Sequence, residues 1–281
     1  MQYSNVIPGR FVSRPNRFLA QVKTADGVQT CHVKNTGRCA ELLLPGAPVW
    51  LQRFGADAKR KTKFDLIAVQ KGALLLNIDS QAPNAAAREF LASGGLGWIP
   101  SVLRPEYTWG DSRFDFYLEH GGRRCLAEVK GVTLEEDGTA LFPDAPTLRG
   151  IKHLEGLSRA AAQGFACCVL FVVQFSPAAA FAPNRRTHPA FADALRAARD
   201  AGVRVLAYDC AVTPESMVLR APVPSQGFEK RAAQQRPPRP CIRTAKAPSP
   251  KAVRPPGAGL LFILYPALCT IFRAQPVFCM V

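Results

Sequence analysis

The chain has 281 residues, 48% hydrophobic and 20% charged, which excludes a mainly disordered chain, a collagen-like repeat and a polytopic membrane protein. Its net charge of +15 comes from 36 Lys+Arg against 21 Asp+Glu, and a basic surface attracts polyanions, nucleic acid first among them. The opening Met1 to Arg10 lacks a cationic stretch followed by an apolar one, and the nine scattered cysteines show no Cys-x-x-Cys spacing. A cytoplasmic protein with reduced thiols is therefore expected, without a structural zinc site.

In chain order, the first 80 residues read as short strands. Phe18 to Lys23 alternates, the turn Ala25-Asp26-Gly27 follows, and Val28 to Lys34 completes a hairpin. Pro48 to Phe54, Phe64 to Gln70 and Ala73 to Ile78 are three more runs rich in β-formers, separated or flanked by Gly46, Gly55 and Gly72. Five short strands with little helix predict an OB-like barrel over residues 1–82. From residue 83 the pattern changes. A helix is expected at Asn84 to Leu91 with Asn84 as N-cap, then strands at Leu103 to Trp109, Arg113 to Glu119 and Arg124 to Lys130. Thr147 to Gln163 reads as a helix stopped by Gly164, and Phe165 to Gln174 as a strand buried on both faces. A helix at Pro189 to Ala201 and a strand at Val203 to Tyr208 follow. The order α-β-β-β-α-β then α-β predicts an α/β domain with a mixed sheet over 83–225.

Composition breaks again near residue 225. Residues 226–281 hold 9 of the 24 prolines and 9 Lys/Arg against one acid, Glu229, while the apolar run Leu260 to Phe272 is interrupted by Pro266. That run is shorter than the ~20 residues of a spanning helix, so no membrane anchor is expected and this stretch reads as a tail outside the fold.

The sharpest chemical signal is Arg113-Phe114-Asp115-Phe116-Tyr117 followed by Ala127-Glu128-Val129-Lys130. Glu128 and Lys130 fall on one strand face. A hairpin pairing Glu119 with Arg124 sets Asp115 opposite Glu128, and Phe114, Phe116 and Leu118 then share a face with Cys125, Ala127 and Val129. Opposed carboxylates repel unless a cation neutralises them. Lys130 is one cation; a divalent ion held by Asp115 and Glu128 is the other, and oxygen ligands suit Mg²⁺ or Mn²⁺. Metal-assisted phosphodiester hydrolysis uses such carboxylates to hold the ion, with a lysine to orient the attacking species. The spacing resembles the PD-(D/E)xK nuclease core, with Glu106 on the preceding strand as a further acid; the bland alternative is a solvated salt-bridge ladder.

Further motifs recur along the chain: Arg14-Pro15-Asn16-Arg17-Phe18, His32-Val33-Lys34-Asn35-Thr36-Gly37-Arg38, Asp79-Ser80-Gln81-Ala82-Pro83-Asn84, Phe142-Pro143-Asp144-Ala145 and Arg149-Gly150-Ile151-Lys152-His153-Leu154. Together they resemble the sugar fermentation stimulation protein A (SfsA) family from about residue 5 to 224. The resemblance implies an OB domain followed by a nuclease-like domain, sequence-independent DNA binding and a link to sugar (maltose) metabolism. It also implies that Asp115, Glu128 and Lys130 occupy the nuclease-like positions, without establishing cleavage.

For DNA contact the candidates are Arg38, the loop Lys59-Arg60-Lys61-Thr62-Lys63 between two barrel strands, where OB folds place nucleic-acid-binding loops, and Arg149 with Lys152 at the start of the helix after the site. Each of these groups has a plain alternative as solvated surface. His120 and His188 read as bland, and Cys167-Cys168 as core.

Overall fold

A computed structural model describes residues 1–35, 37, 39–55 and 59–227. The chain divides into two compact units, 1–231 and 232–281, and all described residues belong to the first. The expected tail therefore lies, apart from Gln226 and Gly227, outside the described residues.

The N-terminal half is built from β1 (Val6–Asn16), β2 (Leu19–Thr24), β3 (Gly27–Val33), β4 (Pro48–Arg53), β5 (Phe64–Lys71) and β6 (Leu74–Asn77). The order is β3-β2-β1-β4-β5-β6, and the parallel pairing of β3 with β5, Cys31 opposite Phe64, closes β1 to β5 into an OB barrel. Five strands close, as expected, but the set differs: β1 belongs to the barrel, and β6 only extends it as a hairpin on β5. Pro8, Gly9 and Pro15 concealed β1 in the sequence. The structure accommodates Pro8 because residues 6–9 pair with β4 alone, and pairing with β2 begins only at Arg10. Gly9 is required by a close approach, since a Cβ there would sit 2.5 Å from Val22 Cγ1.

The second half runs α1 (Ala82–Ala92), β7 (Val102–Trp109), β8 (Ser112–His120), β9 (Arg123–Val132), β10 (Leu134–Glu136), β11 (Thr139–Phe142), α2 (Leu148–Ala162), β12 (Ala166–Val173), β13 (Ala180–Pro183), α3 (Pro189–Asp200), β14 (Arg204–Thr213) and β15 (Ser216–Pro222). Its mixed sheet has the order β15-β14-β12-β9-β8-β7, with β12 parallel to both β9 and β14. Strand β12 is buried nearly throughout, which is why its sequence is apolar on both faces. One face packs on α1 through Ala86, Leu91, Phe116, Leu118 and Leu170. The other carries α2 and α3 through Leu154, Leu157, Phe171, Phe191 and Leu195. Each such buried Leu or Phe side chain contributes about 1.5–3 kcal/mol relative to exposure. Helix α2 starts where expected: Thr147 Oγ1 accepts the Gly150 N–H at 3.0 Å, and Gly164, with φ +84°, follows its end. The small sheet β10-β11-β13 and the edge strand β15 had no separate sequence signal.

Two local expectations are corrected. The α1 N-cap is Gln81, not Asn84, because the helix begins at Ala82 with Pro83 in its first turn. Phe114 does not share a face with Phe116 and Leu118. The hairpin register is as expected from His120 opposite Arg123 to Phe116 opposite Ala127, but it stops there, so Asp115 is not the register partner of Glu128 as expected. Val129 N–H goes to Asp115 Oδ2 at 2.7 Å instead of a backbone carbonyl. Beyond this irregularity Phe114 joins the α2 face, in edge contact with His153.

Barrel and α/β domain meet through polar contacts. Gln174, just past β12, donates Nε2 to the carbonyls of Asn77 at 3.0 Å and Asp79 at 3.2 Å, and its own carbonyl receives Asn77 N–H at 2.9 Å. Lys34 bridges the buried Asp65 at 3.2 Å and Asp79 at 2.8 Å. All six cysteines among the described residues are buried free thiols, Cys167 and Cys168 among them.

Candidate metal centre and nucleic-acid surface

β9 delivers Glu128 and Lys130 from the sheet interior, with strands paired on either side of it. Lys130 Nζ donates to Glu128 Oε1 at 2.5 Å, and His153, one turn into α2, places Nδ1 against the same oxygen. Glu128 Oε2 is left fully buried with no hydrogen-bond partner. Asp115 comes from β8; its Oδ1 receives Asn84 Nδ2 at 2.9 Å and its Oδ2 the Val129 N–H. Burial raises the Asp115 carboxyl above the usual carboxylate range and the Glu128 charge adds to this, with Val129 and Asn84 offsetting part. Burial also opposes ionisation of Glu128, yet the His153 hydrogen bond and the Lys130 charge outweigh it and hold that carboxyl below its usual range.

This donor set fits a hard divalent cation. It offers two carboxylates, and a buried carboxylate oxygen without a partner is costly unless something fills its place. Among the described residues no three His, Cys, Asp or Glu side chains cluster in metal-binding geometry, so solvent or ligand oxygens would complete the shell. Glu106, expected as a further acid, is 70% exposed and faces Arg113 at 3.6 Å.

Sequence reasoning placed His153 near the site but not in it. The structure buries it and joins it to Glu128, with Arg149 Nε donating to His153 Nε2 at 3.5 Å. Arg149 thus borders the site, whereas Lys152 pairs on the surface with Asp111 at 3.5 Å. Asn84, expected as a cap, lies in the first turn of α1 and is the Asp115 partner.

On the barrel, Lys59 and Lys61 are exposed, and Lys63 is also at the surface. Arg60 is committed to the buried Asp65 and stacks over Phe54 at 3.9 Å. Phe18, 51% exposed, lines a shallow groove with His32, Arg60 and Lys61. Exposed aromatic and basic side chains in one groove suit stacking of bases beside a tracked phosphate backbone. Arg38 lies outside the described residues.

Fold and site together define an OB barrel joined to an α/β domain that carries a paired-carboxylate site. The chain belongs to the sugar fermentation stimulation protein family. The family model described as SfsA N-terminal OB domain matches residues 12–78, and that described as sugar fermentation stimulation protein RE domain matches residues 81–216. A sugar fermentation stimulation protein homolog of Desulfitobacterium hafniense is 53% identical over 218 residues, 77% of this chain and 94% of that protein. One from Clostridium beijerinckii is 45% identical over 220 residues, covering 78% and 97%. A solved structure described as Pyrococcus furiosus SfsA in complex with Ca²⁺ matches with a TM-score of 0.72 and 25% identity, covering 80% of this chain and 98% of that one.

Proposed function

We propose that this chain binds DNA without sequence preference and presents the backbone to a divalent-cation-dependent phosphodiesterase site. The observation that carries this reading is the unpartnered, buried Glu128 Oε2 beside Asp115 and Lys130. Asp115 and Glu128 would hold Mg²⁺ or Mn²⁺; the Ca²⁺ complex of the Pyrococcus relative supports a divalent ion. When bound, such an ion stabilises charge on phosphoryl oxygens and acidifies the attacking water. Lys130 lies beside that region, and Arg149 offers a guanidinium next to His153 to a flanking phosphate. The groove of Phe18 and Lys61 holds the strand on the barrel. Regulation of sugar metabolism would follow from such binding in the cytoplasm; no helix among the described residues is long and apolar enough to cross a membrane.

The test incubates the purified chain with plasmid, single-stranded DNA and RNA in Mg²⁺, Mn²⁺ or EDTA. Binding should weaken steeply between ~50 and ~200 mM salt, and Lys61→Ala should lower the salt slope by about 1. Cleavage should need the divalent ion and vanish in Lys130→Ala. Salt-independent binding, or strong preference for one sequence, sinks the DNA reading; cleavage that survives Lys130→Ala belongs to a contaminant.

A further inference from the structure

Three of the motifs left without a role above converge on one cavity. Asn35 and Gly37 reach it from the barrel, Ser80 and Pro83 from the start of α1, and Phe142, Asp144 and Ala145 from the end of β11 and the loop after it. It encloses about 260 Å³, and its wall includes Gly131 and Pro83, direct chain neighbours of Lys130 and of the Asp115 partner Asn84. Gly37 lets the two loops meet, since a Cβ there would sit 2.6 Å from Asp144 Oδ2.

Several polar groups facing this cavity keep unspent donors or acceptors, although the Ser80 hydroxyl is committed to the Lys34 carbonyl. Gln174 is only 2% exposed, and its Nε2 is committed to Asn77 and Asp79, which turns Oε1 to the cavity with no hydrogen bond from a described residue. Asn35 Oδ1 accepts the Gly37 N–H, which leaves its Nδ2 free to donate. Asp144 makes no ion pair with a described residue, and Thr133 brings a hydroxyl. No Lys or Arg is among the described lining residues, so the cavity disfavours a phosphate. Acceptors dominate, one amide donates, and Phe142 offers an aromatic surface. A flat, uncharged heterocycle carrying N–H donors answers that pattern.

Resting on the DNA reading above, we propose that the cavity receives one unpaired purine base bearing an exocyclic amine, from the strand whose backbone lies at Asp115 and Glu128. Asp144 and Gln174 Oε1 accept its N–H groups and Asn35 Nδ2 donates to its ring. The substrate is then a single strand or a flipped base, not an intact duplex.

The test uses the full chain in EDTA, so that nothing is cut, and a dye-labelled single-stranded oligonucleotide with one 2-aminopurine. Anisotropy reports binding and 2-aminopurine emission reports the base. Emission should change about twofold or more on binding to the wild type and stay flat with Asp144→Asn and Ala145→Phe, while anisotropy affinity falls by less than about threefold because phosphates carry it. Both substituted positions are exposed, so the variants should melt like the wild type. Wild-type binding without an emission change, or equal changes in both variants, overturns the base site alone. Absence of binding overturns the DNA reading and this proposal with it. Equal affinity for free 2-aminopurine nucleoside would mark a nucleoside site and overturn the placement of a strand.

Discussion

His153 Nδ1 meets Glu128 Oε1, and its Nε2 receives Arg149 Nε–H at 3.5 Å. A neutral imidazole with its proton on Nδ1 satisfies both contacts, donating to the carboxylate and accepting from the guanidinium. With Lys130 donating to that same oxygen, the orientation of Glu128 is held from two sides and Oε2 is aimed away. His153 is thus a positioning residue for the proposed cation site. His153→Ala is expected to weaken Mn²⁺ binding about 10–100-fold by calorimetry, the usual effect of losing an outer-shell partner. His153→Gln, which can still donate, should recover part of that loss. Unchanged affinity in His153→Ala would show that Glu128 needs no such support.

Edge strand β15 pairs with β14 and is held in addition by one buried group. Asp209 on β14 sits at a register shift, where its carboxylate accepts Arg220 Nη2 at 2.6 Å and the Ala221 N–H at 3.1 Å. Burial pushes this carboxyl up, but the Arg220 and Ser176 hydrogen bonds and the Ala221 N–H outweigh it and hold it below the usual range. Removing the buried acceptor leaves the Ala221 N–H without its partner, at a cost of about 1–3 kcal/mol. Asp209→Ala should therefore lower Tm by roughly 3–10 °C at neutral pH. A carboxyl with a depressed folded-state pKa stabilises the fold above its unfolded pKa and loses that effect as pH falls through the folded value. The gap between wild type and variant should hold at neutral pH and narrow below the ordinary carboxylate range. A gap that widens in acid contradicts this account.

Across the whole molecule, barrel and α/β domain behave as parts of one unit. Met1 reaches Glu89 and Met217, Tyr3 binds Asp79, and Gln174 ties β12 to the end of β6. The described chain stays engaged slightly beyond the expected boundary at 225: Ser225 bridges Phe181, and Gln226 N–H donates to the Phe181 carbonyl at 2.8 Å. A chain ending at residue 231, where the first compact unit ends, is expected to melt within about 2 °C of the full chain by calorimetry. A larger fall would show that residues 232–281 contribute to the fold.

What the sequence determined by itself rests on short-range physics. Alternation and turn residues set the β8–β9 register, Thr147 and Gly164 bounded α2, and the apolar run at 165–174 read correctly as a buried strand, because each depends on neighbours within a few residues. The pairing of Glu128 with Lys130 was legible for the same reason, being a two-residue spacing on one strand. Strand β1 was not, because its prolines are tolerable only where the partner on one side is missing. Nor could spacing tell that Arg60 is committed to Asp65 and Lys152 to Asp111 while Lys61 stays exposed in the Phe18 groove. The tertiary structure alone decided that His153 is buried against Glu128, which carboxylate oxygen is left without a partner, and that motifs from residues 35, 80 and 144 line one cavity. Those facts join residues 25 to 109 positions apart, and only packing of the barrel and α2 against the sheet brings such distant side chains within a few ångströms.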